Sequence, residues 1–157
     1  MSVVVQREIL DEQALMCGLR QNQPQAGAIV TFLGQVRAHN EGETISSLTL
    51  EHYPGMTEKT LARLEQQARE RWDLLAVEIH HRVGPLCVGD AIVFVGVASH
   101  HRQPAFAACE FLMDQLKTTA PFWKKETTAQ GTRWVAAKPG DEQARQRWQQ
   151  DDTLERP

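Results

Sequence analysis

Apolar positions alternate along the chain between two rhythms, one of period two and one of period 3.6. "VVVQREI" opens as a strand, and "DEQALMCGLR" follows as a short helix with Asp11 at its N-cap. "QNQPQAG" is a polar turn. "AIVTFLGQV" is apolar almost throughout, the pattern of a strand buried on both faces. "RAHNEGETI" reads as a loop and "SSLTLEHY" as a strand with alternating sides. "PGMTEKTLARLEQQARERW" is the clearest helix: Leu61, Leu64, Ala68 and Trp72 form one stripe, and Glu58 sits near its positive end. "LAVEIHHRVG" predicts a strand ending in a turn, and "CVGD" turns the chain into the strand "AIVFVGVAS". Pro104 suits the first turn of the next helix, whose stripe is Ala105, Cys109, Leu112 and Leu116. "TRWVAA" is a last strand.

Strands and helices alternate, so the class is α/β or α+β with mixed pairing, and strand order stays open. Residues 1–138 read as one domain. The polar tail, 139–157, has Trp148 as its large apolar residue; it is either a short helix docked through that ring or a frayed end.

Composition narrows the function classes. A chain of 157 residues with 41% hydrophobic and 24% charged residues is an ordinary globular protein. Its net charge of −3 argues against a general nucleic-acid binder. The charge is uneven, however. Between Ser99 and Lys138, Arg102, Lys117, Lys124, Lys125, Arg133 and Lys138 outnumber Glu110, Asp114 and Glu126. A positive field within an acidic protein suits a small anion better than a long polyanion. Cys17, Cys87 and Cys109 form no CxxC pair or disulfide framework, which points to a reducing compartment. "MSVVVQREIL" is too short and charged for a signal peptide, and no apolar run approaches a membrane span. The expectation is a soluble cytoplasmic protein.

Four stretches carry more polar function than their positions need. In "GQVRAHN", Gly34 closes a strand and Arg37, His39 and Asn40 follow. This is either a solvated loop or an anion site, in which Gly34 allows close backbone approach and Arg37 offers a planar fork. In "SHHRQPAF", a strand feeds a helix N-terminus, whose free amides favour an anion. His100 and His101 are neighbours facing opposite sides, so at most one joins Arg102. In "MDQLKTTAPFWKKETT", Lys117 closes a helix that Pro121 stops. Phe122 and Trp123 are expected to anchor the turn in the core and to hold Lys124 against a fixed surface. Neighbouring positive charge and burial both lower a lysine pKa, which acid–base work near neutrality requires. In "LEHYPGMTEKTL", Glu51 and His52 point apart as strand neighbours, and Tyr53 is expected to be buried with its hydroxyl bonded. The six histidines show no HxxxH or HExxH spacing, so no metal site is expected.

Taken in order, "LEHYPGM", "HRVGPLCVGDAIVFVGVASHHRQPAF", "LKTTAPFWKKE" and "RWV" resemble the MoaE family, the large catalytic subunit of molybdopterin synthase, from about Gly34 to Val135. The resemblance implies a hammerhead-type α/β (α+β) fold: a mixed sheet with an additional small antiparallel β subdomain. It implies a homodimer within a heterotetramer, and as partner a small ubiquitin-like sulfur carrier whose C-terminal Gly-Gly thiocarboxylate enters a pocket. The implied reaction turns cyclic pyranopterin monophosphate into molybdopterin by installing two dithiolene sulfurs, with no resident cofactor or metal. Lys117 and Lys124 take the catalytic positions. Gln35, Val36, Arg37, His101, Arg102, Lys125 and Glu126 take substrate-binding ones, and Lys138 stands where an anion contact crosses the dimer. Two departures stand out: His100 where relatives often have a small residue, and Lys138 in place of an arginine. Two rival readings are a non-catalytic module holding an anionic peptide tail or nucleotide, and a phosphate-ester hydrolase.

Overall fold

The computed structural model describes residues 2–135 and 139–154. β1 (Val3–Gln6) leads to Asp11, whose side chain accepts from the Ala14 N–H at 3.0 Å and starts α1 (Glu12–Gln21). β2 (Ala28–Gln35), the short β3 (His39–Asn40) and β4 (Glu43–His52) precede α2 (Met56–Arg71). β5 (Ala76–Arg82), β6 (Gly84–Cys87) and β7 (Ala91–Ser99) lead into α3 (Arg102–Thr119). β8 (Phe122–Thr128), β9 (Gly131–Val135) and α4 (Pro139–Leu154) follow. No helix among the described residues is long and apolar enough to cross a membrane.

Two sheets result. The first has the order β1-β5-β7-β2, with β1 parallel to β5 and the other pairs antiparallel. The second is antiparallel, in the order β3-β4-β8-β9, with β6 also pairing with β4. A mixed sheet beside a separate antiparallel one is as the resemblance implied, although the antiparallel sheet is not small, with five strands to the other's four.

The helical stripes close the core against the first sheet. Leu61, Leu64 and Ala68 of α2 and Phe111, Leu112 and Leu116 of α3 pack with Val77, Ile79, Val95 and Val97. Each such side chain contributes roughly 1.5–3 kcal/mol by leaving water. Leu10 and Leu19 pack with Phe94 and Ala98 in a second apolar cluster. α4 docks through Trp148, whose ring meets Trp72 and Phe111 edge-on at 5.6 and 5.5 Å. Its indole N–H donates to Asp114 at 2.7 Å, and Arg147 pairs with Glu110 and Asp114.

Four expectations from the sequence need correction. β2 is not buried on both faces: it is an edge strand, and Phe32 and Leu33 are 39% and 41% exposed. A continuous apolar run cannot tell a central strand from an edge whose side chains line a cleft. "RAHNEGETI" contains a hairpin, β3 to β4, closed by Glu41 and Gly42 at φ 51° and 79°. A two-residue turn with both φ positive is the form that matches strand twist, and glycine meets its second demand without strain. "PFWKKE" is strand β8, not loop; period two turns Phe122 inward and leaves Trp123 half exposed. Tyr53 is exposed, and the bond at that corner is made by its backbone N–H, which donates to the Thr57 hydroxyl at 3.0 Å.

Candidate active site

A cavity of about 530 Å³ opens where the two sheets meet. The end of β2 supplies Gly34 and Gln35, followed by Val36 and Arg37; the end of α3 supplies Lys117; β8 supplies Lys124 and Glu126. The strand end is aimed by a bulge: Gly34 faces Val93, but Gln35 faces Ala91. Gly34 is needed for its own packing, since a Cβ there would come within 2.9 Å of Val93 Cγ1. The Val36 N–H donates to the Asp90 carbonyl at 2.9 Å, which fixes the backbone just before Arg37.

The two lysines meet because the helix ends where it does. Ala120, held extended at ψ 132° before Pro121, reverses the chain, so β8 brings Lys124 back beside Lys117. Burial above all pushes the Lys124 pKa down from 10.5 to about 8. The charge of Lys117 and a hydrogen bond with its side chain act the same way, Asp141 opposes them, and Arg37 adds a smaller push. Of the neighbours Lys124 and Lys125, it is Lys124 that enters the cavity. Lys125 does not reach the cavity. Strand alternation turns it to the opposite face, where its ammonium lies 5.5 Å from the Trp134 ring.

Glu126 is in the cavity wall, and each of its oxygens accepts a bond. One oxygen accepts from Asn40 at 2.6 Å and the other from Arg133 at 3.2 Å. Asn40 in turn accepts from Arg37 at 3.4 Å. The carboxylate therefore holds the arginine in place through Asn40 while it lines the cavity.

His101 and Arg102 are not brought to this cavity. They are exposed at the opposite end of α3, His101 as its N-cap. Lys117 lies fifteen residues beyond Arg102, roughly 22 Å at the helical rise of 1.5 Å per residue. His100 is exposed beside His101, so neither imidazole faces the pocket within one chain. Lys138 lies outside the described residues.

Two titratable lining residues escaped the sequence reading. His81 follows Val77 and Ile79 on the inward side of β5, and only that period could have flagged it. Its Nδ1–H donates to the Arg82 carbonyl at 2.7 Å, and its ring stacks on Phe122 with centroids 3.9 Å apart. Burial pushes its pKa down from 6.5 to about 4, against the Arg82 bond, with Lys124, Lys117 and His52 adding to the fall. Asp141 enters from the first turn of α4, and nothing local in its sequence announces that.

A lysine near its titration point, a second ammonium and a tethered guanidinium in one half-apolar cleft define an α/β protein that binds an anionic substrate and moves protons on it. Comparison with known proteins makes this specific. The family profile described as MoaE protein matches residues 5–119. The molybdopterin synthase catalytic subunit of Ralstonia nicotianae is 54% identical over 147 residues, 94% of this chain and 84% of that one. The Escherichia coli protein of the same name is 59% identical over 122 residues, 78% of this chain and 81% of its own. Among solved structures, the molybdopterin biosynthesis MoaE protein of Burkholderia ambifaria superposes with a TM-score of 0.80 at 46% identity, covering 94% and 97% of the two chains. The chain belongs to the MoaE family.

Proposed function

We propose that this chain is the catalytic subunit of a molybdopterin synthase, moving sulfur from the thiocarboxylated C-terminus of a small carrier subunit to cyclic pyranopterin monophosphate. The observation that carries it is the pair Lys117 and Lys124 in one cavity, with Lys124 held near a pKa of 8. At pH 7 about one Lys124 in ten is then an amine, so the group can both take and return a proton.

The cavity chemistry fits the two partners. Arg37, fixed through Asn40, faces the substrate phosphate as a planar donor. Lys117, exposed at the rim, meets the entering thiocarboxylate and stabilises the acyl intermediate that forms when its sulfur attacks the pterin side chain. Water then releases the carrier as a carboxylate and leaves the sulfur on the pterin. Lys124 moves the protons that sulfur addition and loss of water require. The proposal assigns no cofactor or metal to the chain. Its cations are its own side chains.

His101 and Arg102 sit too far from Lys117 to act on the same molecule within one chain. In a homodimer inside a heterotetramer they serve a second copy's cavity, with Lys138 as a further anion contact. The three unpaired thiols support a cytoplasmic setting. The test is turnover by purified chain, thiocarboxylated carrier and cyclic pyranopterin monophosphate. Wild type forms the dithiolene, Lys124→Ala loses at least a hundredfold in kcat, and Arg37→Ala chiefly raises KM. Lys117→Ala with wild-type sulfur transfer would refute the assignment.

A further inference from the structure

The cavity carries three cationic donors, and its polar acceptors come from Gln35, Asn40, Glu126, Asp141 and His81. Arg37, Lys117 and Lys124 can only donate while charged. Each oxygen of Glu126 already accepts one bond, from Asn40 and from Arg133, and the Asn40 carbonyl accepts one from Arg37. A pterin ring nevertheless presents an amino group and several ring N–H groups, each of which loses a water partner on entering and needs an acceptor in return.

His81 offers such an acceptor at a fixed orientation. Its side chain is only 4% exposed yet lines the cavity. Its Nδ1 faces a carbonyl oxygen, so the proton must sit on Nδ1, and Nε2 carries a lone pair. Nε2 has no hydrogen-bond partner among the described residues, and it is not among the fully occluded atoms. The 3.9 Å stack on Phe122 fixes the plane in which that lone pair points. The thiocarboxylate cannot be its partner, because two lone pairs repel; a neutral N–H can.

We propose that His81 is a substrate-binding residue whose Nε2 accepts a hydrogen bond from an N–H of the pterin ring. The inference rests on the functional reading above and names the group that orients the ring while Arg37 holds the phosphate. The surroundings keep this acceptor in place: burial beside Lys117 and Lys124 leaves the imidazole uncharged at neutral pH, where a protonated ring would present a donor instead.

Two substitutions separate this role from a structural one. His81→Asn keeps a donor near the Nδ1 position for the Arg82 carbonyl and removes the acceptor; His81→Gln does the reverse. Calorimetric binding of cyclic pyranopterin monophosphate to the chain, and its KM at saturating carrier, are measured for both, with melting temperatures as a check on folding. The expected result is a roughly three- to tenfold weakening for His81→Asn. His81→Gln stays within about twofold of wild type, and the KM for the carrier does not move. Wild-type affinity in His81→Asn, or a larger loss in His81→Gln than in His81→Asn, overturns the proposal. Wild-type chain that binds the pterin in this manner but never turns it over sinks the catalytic reading and supports this one. Wild-type chain that does not bind the pterin overturns both.

Discussion

Replacing Lys124 by methionine should make the protein more stable while abolishing its activity. The reason lies in the protonation equilibrium. In the unfolded chain the ammonium titrates at an ordinary 10.5; in the folded chain it titrates near 8. At about 1.4 kcal/mol per unit this is about 3 kcal/mol by which folding disfavours the charged form, net of the attraction to Asp141. Methionine has a similar length, packs against Leu116 and Phe122 in the same wall, and brings no charge.

The sign fixes the pH window. Between pH 8 and 10.5 the unfolded state binds more protons at this site than the folded state, so wild-type stability gains as pH rises through that interval. Below pH 8 the full handicap applies, and above 10.5 it has gone. Urea unfolding of wild type and Lys124→Met should therefore differ by up to about 3 kcal/mol at pH 7, which for a chain of this size moves the melting temperature by roughly 6–10 °C. The two curves should converge by pH 10.5, leaving only the difference between packing an amine and a thioether. Equal stability at pH 7, or a gap that stays constant with pH, would mean that Lys124 is not charge-strained and that its proposed proton transfer lacks its physical basis.

Two other perturbations follow from the same packing. Trp148→Ala should cost about 3–5 kcal/mol, since it empties a ring from the edge-on cluster with Trp72 and Phe111. It should also lower the Lys124 titration midpoint, read by NMR of the lysine ε-carbon, because α4 carries Asp141, the one group that supports the charged form; a midpoint that does not move would separate α4 docking from the site. On the acid side, His81 titrates at 6.5 unfolded and near 4 folded, so its contribution is full above pH 6.5 and is lost as pH falls toward 4, about 3 kcal/mol in all. The stability difference between wild type and His81→Asn should close across that window, and a flat difference would show that the imidazole is not held uncharged.

What the sequence made legible was what repeats locally. The stripe of α2, the Asp11 cap and the stop imposed by Pro121 each depend on residues within a turn or two, and all three are where the pattern put them. The convergence of Arg37, Lys117 and Lys124 could be suspected from charge clustering and from the resemblance. What failed was anything decided by a distant partner. β2 has the apolar run of a central strand but lies at an edge, where Phe32 and Leu33 line the cavity. Lys124 and Lys125 are equivalent as neighbours, yet the pairing of β8 with β4 sends one inward and the other onto Trp134. Asp141 and His81 belong to the site only because an aromatic cluster docks α4 and a sheet register places β5.

These distant contacts also explain how such a site persists. Two ammonium groups and a guanidinium crowded into a half-apolar cleft repel one another, and no nearby residue could hold them together alone. The chain spreads the restraint over parts that carry none of the chemistry. Arg133 anchors Glu126, which anchors Asn40, which tethers Arg37, while Glu43 steadies Arg133 from its other side at 3.4 Å. The antiparallel pairing of β4, β8 and β9 sets the spacing of this relay, and the α2–α3 core beneath Lys117 supplies the burial that offsets its strain. Burial is the main cause of the lowered Lys124 pKa, and the second sheet adds to it by keeping Arg37 near. Loosening it, by removing Arg133 for example, should let Arg37 move away and raise that pKa slightly, with burial and Lys117 still holding it well below 10.5.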